Sequence, residues 1–238
     1  MTVAFISDLH LTPERPNSTI LFEEFLRATE GIVEDLYILG DLFEYWIGDD
    51  AGEQLGHQRI EKALKQTTDR GTNIFFIHGN RDFLIGSDFA NRTGCRILPD
   101  PTVIILGDNR VVLSHGDSLC TDDIEHQNAR DQMLSSKWKV AFLDKSIEDR
   151  VHTAKQLRSH SEKSKQKKSM EIMDVTQAEV EKMIMEHQAD IMIHGHTHRP
   201  GIHEFKLDSK RIKRYVLGDW YTQKSSLTYN NNTFLLKK

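Results

Sequence analysis

Cysteine is scarce: Cys95 and Cys120 are the two in a chain of 238 residues. They form neither a CxxC pair nor a disulfide framework, which points to a reducing compartment and leaves both as ordinary half-buried thiols. Long apolar runs are missing as well. No stretch approaches the ~20 apolar residues that span a bilayer, and the opening MTVAFISDLH has neither the basic start nor the long apolar centre of a signal peptide. The expectation is a protein made and kept in the cytoplasm unless it docks on a membrane surface. Positive charge is not in excess either. A formal net charge of −5 argues against a general nucleic-acid binder, and no nucleic-acid partner is expected. With 38% hydrophobic and 28% charged residues, the composition is that of a globular protein, and the length suits one α/β domain over 1–238.

Short apolar runs recur, each stopping abruptly in polar residues and usually glycine. They are VAFISDLH (3–10), LYILGDLF (36–43), IFFIHGNRD (74–82), VVLSHGD (111–117), IMIHGHTH (191–198) and YVLGDW (215–220). Four or five β-rich apolar residues in a row predict strands buried on both faces. Helix-compatible segments, Thr19–Thr29, Gly52–Arg70 and Thr176–Gln188, lie between several of them, an alternation that predicts a layered α/β fold. TVIILGDNRVVLSHG reads as a hairpin turning at Gly107-Asp108-Asn109, and SLTYNNNTFLL as a second hairpin. The sheet is therefore expected to be mixed, or to be two sheets packed face to face.

Five of these runs place Asp, Asn or His just past the last apolar residue, where layered α/β proteins gather their ligand-binding loops. If the strand ends lie side by side, Asp8, His10, Asp41, Asn80, His115, His196 and His198 share one small volume. The sixth run, ending in Asp219, reads as structural. Two carboxylates, an amide oxygen and four imidazoles suit two first-row divalent ions such as Mn²⁺, Fe²⁺ or Zn²⁺ rather than Ca²⁺ or an all-oxygen Mg²⁺ site. Such a pair activates water and clamps charge on a phosphoryl group, so the expected chemistry is phosphoester or phosphoanhydride hydrolysis.

The ordered motifs DLH, GD, GNRD, SHGD and GHTH resemble the signature of the calcineurin-like metallophosphoesterases. The resemblance implies two packed mixed β-sheets flanked by helices, with metals at the strand ends. It assigns Asp8, His10, Asp41 and His198 to one ion, and Asp41, Asn80, His115 and His196 to the other, with Asp41 bridging. His78 and His194 fall outside the matched pattern, so packing or support of a ligand is expected of them.

Arg81 stands where many relatives of that family have histidine. An arginine keeps its proton, so it is a poor general acid but a strong fork for phosphate oxygens. A leaving group that is itself a phosphate monoester, second pKa near ~6, departs without proton donation. Cleavage of a P–O–P bond is therefore expected, with Asn80, Arg81 and His115 as the catalytic residues. Residues 121–170 read as a helical insertion. Leu134, Trp138 and Phe142 recur at i, i+4 and i+8, then Ile147 and Val151, with a break at Asp144-Lys145-Ser146 that makes a helix pair. Lys163, Lys165, Lys167 and Lys168 follow. A basic patch beside apolar helices suits an anionic lipid surface.

The stretches FISDLHL, YILGDLFEYWIGDD, HGNRDFLIG, SHGDSLCTDD, EIMDV, IHGHTHRP and VLGDW narrow the resemblance to a branch of that family acting on UDP-linked diacylated glucosamine in lipid A biosynthesis. This implies two Mn²⁺ ions per chain and activated water attacking the α-phosphorus. It also implies substrate contacts at Asn80, Arg81, Asp123, Ser161, Lys165, Lys168 and His196, and a lid whose apolar interior houses the acyl chains. A monomer in peripheral contact with the cytoplasmic face of the inner membrane is expected. The rival reading is a nucleotide or dinucleoside-polyphosphate hydrolase of the same superfamily, which leaves an apolar lid without a purpose.

Overall fold

Val3–Ile6 (β1), Asp35–Leu39 (β2) and Asn73–Ile77 (β3), the first three apolar runs, lie side by side and parallel in the computed structural model. The structure describes residues 1–166, 168–169, 171–221 and 224–238, with Lys165 described for its backbone alone. Arg96–Leu98 (β4) adds to one edge of the sheet. The hairpin Ser226–Asn230 (β10) and Thr233–Lys237 (β11) adds to the other edge, giving the order β11-β10-β1-β2-β3-β4. In-register pairing puts Tyr37 between Phe5 and Phe75, with ring centroids 5.3 and 4.7 Å away.

The second sheet runs Thr102–Leu106 (β5), Asn109–Ser114 (β6), Ile191–His194 (β7), Lys210–Val216 (β9) and Gly201–Leu207 (β8), in that spatial order. Its β5–β6 ladder closes at Leu106↔Asn109, so the hairpin turns where the sequence places it.

Side-chain alternation along each strand then sets the layers. Val3, Phe5, Leu39 and Ile77 of the first sheet meet Val111, Leu113, Ile193 and Tyr215 of the second in a shared core. On the outer face of the first sheet, Ala4, Ile6, Leu36 and Ile38 pack on Pro16–Thr29 (α1), Gln58–Asp69 (α2) and Ser87–Thr93 (α3). On the outer face of the second, Val112, Met192 and Ile212 pack on Gln177–Glu186 (α7). Two mixed sheets flanked by helices, an α/β arrangement, are what the sequence predicts.

Several elements differ from expectation. The helix expected from Gly52 begins at Gln58, because residues 52–56 form turns after a short 3-10 segment at Asp49–Ala51. The insertion holds three helices rather than two: Ile124–Leu134 (α4), Ser136–Leu143 (α5) and Ile147–Lys165 (α6). The Leu134–Trp138–Phe142 stripe is interrupted by Ser135, whose ψ of 140° is extended and whose Oγ accepts the Trp138 N–H at 3.3 Å. The one expected break, at Asp144-Lys145-Ser146, is present, with Ser146 Oγ capping α6 through the Asp149 N–H at 3.1 Å.

Trp138, Phe142, Ile147 and Val151 pack together on Ile47, Ala51 and Leu55. Buried Arg150 fastens α6 to the same region, donating to Ile47 O at 2.8 Å and to the Asp50 carboxylate at 2.5 and 2.8 Å.

Candidate metal centre

The predicted site residues leave the sheets at the C-terminal ends of β1, β2, β3, β6 and β7, and the two sheets bring those ends together. Ligand atoms of Asp8, His10 and His198 lie within 4.8 Å of one another, as do those of Asp8, Asp41 and His115. Asn80 Oδ1 sits 3.1 Å from His115 Nε2 and 3.0 Å from His196 Nδ1. All seven residues named as ligands are therefore neighbours, and Asp8, His10, Asp41 and His115 are buried.

The backbone is bent to make this possible. Of the nine described non-glycine residues with positive φ, five are Asp8 (56°), His10 (49°), Asp41 (52°), His196 (66°) and His198 (56°). Asp and His enter the left-handed region more readily than most residues, but holding them there still costs of order 1–3 kcal/mol each. Close packing holds them: a Cβ at Gly79 would collide with the Asp41 carboxylate. Buried Asp82 ties the two loops after β2 and β3, accepting from Leu42 N–H at 2.7 Å and Gly79 N–H at 2.9 Å. Burial and the nearby Asp41 charge push the Asp82 carboxyl up to about 7.

The donor chemistry fits divalent cations. His115 Nδ1 lies 2.8 Å from Leu39 O, an acceptor only, so Nδ1 carries a hydrogen and Nε2 is the nitrogen turned toward Asn80 and Asp41. His198 Nδ1 is 3.2 Å from Asp219 Oδ2, which turns its Nε2 toward Asp8 Oδ1 at 3.4 Å and His10 Nε2 at 3.2 Å. Rings anchored outward on an oxygen with a lone pair turned inward are the usual arrangement of metal-binding histidines. Asp219, read from sequence as structural, thus supports a candidate ligand.

The electrostatics agree. Burial lowers His10 well below the ordinary imidazole value, with His198 adding to the effect, so the ring is neutral. Burial alone would raise Asp8, but the imidazoles of His198, His115 and His10 outweigh it and hold the carboxyl below the usual range. Burial raises Asp41, and the Asp8 charge raises it further. Burial would lower His115, yet Asp41, Asp8 and Asp117 push it up to about 9. A field that holds a proton this firmly among buried carboxylates is one that favours a divalent cation.

A cavity of about 390 Å³ opens over this centre. Of the expected substrate contacts, Asn80, Arg81, Asp123, Ser161, Lys168 and His196 all line it. The Lys165 side chain and Lys167 lie outside the described residues. Arg81 is anchored by its backbone N–H on Asp41 Oδ1 at 2.8 Å, with Nη2 3.5 Å from Ser161 Oγ on α6. Asp123 caps α4 through the His126 N–H at 3.0 Å and pairs with Lys168 Nζ at 2.7 Å. Lys168 also reaches Glu125 at 2.9 Å, so it is an ion-paired wall of the cavity rather than part of a free basic run.

Four residues escaped the sequence reading. Buried Glu44 ion-pairs with both Arg15 and Arg158, and Tyr221 stacks on His10 with centroids 5.5 Å apart. The Arg15 guanidinium lies over the Tyr221 ring, 4.6 Å from its centroid. Glu44 sits three residues past Asp41 and Arg158 three before Ser161, the only local signals they carry.

The family model described as calcineurin-like phosphoesterase matches residues 1–200. A protein of Marinobacter nauticus named UDP-2,3-diacylglucosamine hydrolase is 49% identical over 220 residues, covering 92% of this chain and 90% of that one. One of the same name from Stenotrophomonas maltophilia is 46% identical over 243 residues, covering 99% and 98%. Another from Vibrio parahaemolyticus is 44% identical over 244 residues, covering 100% and 98%. On the strength of that match over most of its length, the chain belongs to the calcineurin-like phosphoesterase family and is a metal-dependent hydrolase.

Proposed function

We propose that this chain hydrolyses the pyrophosphate bond of UDP-2,3-diacylglucosamine in lipid A biosynthesis, giving UMP and 2,3-diacylglucosamine 1-phosphate. The observation that carries the reading is that one cavity joins polar and apolar surroundings. His10, Asp41, Asn80 and Arg81 line one part of it; Trp138 and Phe142 of the lid line another. A nucleotide hydrolase needs the first part alone. The names of relatives 44–49% identical over nearly whole chains support the same substrate.

In this reading Asp8, His10, Asp41 and His198 would hold one Mn²⁺, and Asn80, His115 and His196, together with Asp41, would hold a second. When bound, the pair supplies Lewis-acid polarisation of a phosphoryl oxygen and a water nucleophile at neutral pH, for attack at the α-phosphorus. Arg81 forks onto phosphate oxygens and orients the diphosphate beside Asn80. Its fixed protonation leaves it no part in proton transfer, and a departing sugar phosphate needs none. Asp123, Ser161, Lys165 and Lys168 contact the polar head of the lipid, while the lid excludes water from its chains. The lid is the insertion 121–170 of a single domain.

The protein works as a monomer on the cytoplasmic face of the inner membrane. No helix among the described residues is long and apolar enough to cross it. On α5, however, Val140 and Leu143 stand 69% and 42% exposed, flanked in sequence by Lys137 and Lys145.

Phosphorus NMR of the purified protein with Mn²⁺ tests the reading. UMP is expected from the diacylated substrate, with little turnover of a dinucleoside polyphosphate. Losing even four buried methylenes at about 0.8 kcal/mol each costs about 3 kcal/mol, or two orders of magnitude in kcat/KM. Equal rates on UDP-glucosamine without acyl chains would overturn the proposal in favour of a nucleotide hydrolase.

A further inference from the structure

His196 and His198 hang on a loop that leaves β7 at His194, and the contacts that shape this loop converge on Gly195. Its N–H donates to His115 O at 2.9 Å, and its carbonyl accepts the Thr197 N–H at 2.8 Å. The next N–H, of His196, donates to Asp8 Oδ2 at 2.9 Å. A Cβ at Gly195 would collide with Asp8 Oδ2 and Ser7 Oγ, so the peptide sits directly against the candidate centre. The carbonyl of Gly195 has a second neighbour, His194 Nδ1, at 2.9 Å. That contact is a hydrogen bond only if Nδ1 carries the ring hydrogen.

What decides this lies one strand away. Arg214 on β9 pairs with Met192, two residues before the His194↔Val216 pair, so Arg214 and His194 are diagonal neighbours on one face of the sheet. That face also carries Val112, Met192 and Ile212, packed under α7, with Ser114 beside His194 and His203 beside Arg214. Arg214 is 7% exposed, and its Nη1 lies 3.1 Å from His194 Nε2. A guanidinium only donates, so Nε2 must accept and Nδ1 must hold the hydrogen.

We propose that Arg214 is a positioning residue for the metal centre: it fixes His194 as the Nδ1–H tautomer, which pins the Gly195 carbonyl and so aims the loop that presents His196 and His198. The inference rests on the ligand set proposed above. A buried charge of this kind is costly even with the Asp174 carboxylate acting on it, and the chain of contacts gives it a role that packing does not. Support of a ligand from outside the coordination sphere typically carries a 10–100-fold effect on metal affinity.

Two measurements test it, neither reading turnover. Histidine-selective ¹⁵N NMR of the wild-type protein, with the His194 signals assigned by comparison with His194→Gln, is expected to show the Nδ1–H tautomer; the Nε2–H tautomer would overturn the proposal. Mn²⁺ titration followed by the electron paramagnetic resonance of the free ion is then run on wild type, Arg214→Met and Arg214→Lys. Affinity is expected to fall at least tenfold in Arg214→Met and to recover in part in Arg214→Lys, which still donates. A folded Arg214→Met that melts earlier but binds Mn²⁺ as tightly as wild type would make Arg214 merely structural and sink the inference alone. Wild type that takes up no Mn²⁺ would sink the ligand set and this inference together. If Arg214→Met fails to fold, the wild-type tautomer decides.

Discussion

Asn80 offers one side-chain oxygen to two imidazoles, His115 at 3.1 Å and His196 at 3.0 Å, which come from different strands of the second sheet. Alanine there removes that oxygen without removing apolar surface from a core. The expected outcome for Asn80→Ala is a kcat lower by roughly 10²–10⁴, the range for losing a group that organises charge at a reacting centre. The metal-free melting temperature should shift by no more than about 4 °C, equivalent to about 1 kcal/mol in a chain of this size. Steady-state kinetics beside calorimetry checks both; wild-type turnover would remove Asn80 from the site. The seven candidate ligands were legible because each lies within a few residues of the end of an apolar run, so strand ends and motif order were enough to list them. Glu44, Arg15, Arg158 and Tyr221 were not legible. Their partners lie far off in sequence, as with Glu44 and Arg158, and ion pairs between distant segments leave no periodic trace. Nor does composition announce that five candidate ligands sit at positive φ, where close packing such as Gly79 against Asp41 and Gly195 against Asp8 holds the loops.

At the scale of elements, the strands with continuous apolar runs were readable and the short or charged ones were not. In β8, GIHEFKL is largely exposed, and β9 begins with KRIKR, so that only its buried end at Tyr215 and Val216 falls in an apolar run. The three residues of β4 are too few for any period to show. The helices of 121–170 depart from the sequence pattern in a more instructive way. A stripe at i, i+4, i+8 promised one helix through Leu134, Trp138 and Phe142, but Ser135 competes for the backbone with its own hydroxyl and starts a new helix. The consequence is that Trp138 and Phe142 turn together, stacked at 4.6 Å, with Phe142 4% exposed and both rings on the cavity. Trp138→Ala is therefore expected to raise KM for the diacylated substrate about tenfold, as about 1.4 kcal/mol of lost apolar contact would. The rate on UDP-glucosamine without acyl chains should stay unchanged. If both substrates respond alike, the lid does not hold the acyl chains.

At the scale of the molecule, the candidate centre draws its side chains from both sheets: Asp8, His10, Asp41 and Asn80 from the first, His115, His196 and His198 from the second. The same layered burial that makes this site makes the fold sensitive to acid, and His57 shows how. It lies 3% exposed against Phe43 at 4.4 Å and Trp46 at 5.7 Å, away from the candidate ligands. Burial lowers its pKa from 6.5 to about 4. Between those two values the unfolded chain binds a proton that the folded chain refuses, so stability is full above pH 6.5 and declines as the pH falls toward 4. At about 1.4 kcal/mol per unit, the contribution lost by pH 4.5 is about 2–3 kcal/mol at most. Other buried histidines whose values burial lowers, such as His78, push in the same direction, so the wild-type curve alone cannot isolate His57. The difference between wild type and His57→Gln can. Urea unfolding with EDTA present, at pH 7 and at pH 4.5, should show a smaller acid loss in His57→Gln by up to that amount, because glutamine has no proton to take up on unfolding. Equal losses in the two proteins would mean that the folded interior accepts the charged ring, and that the aromatic box around His57 is open to water.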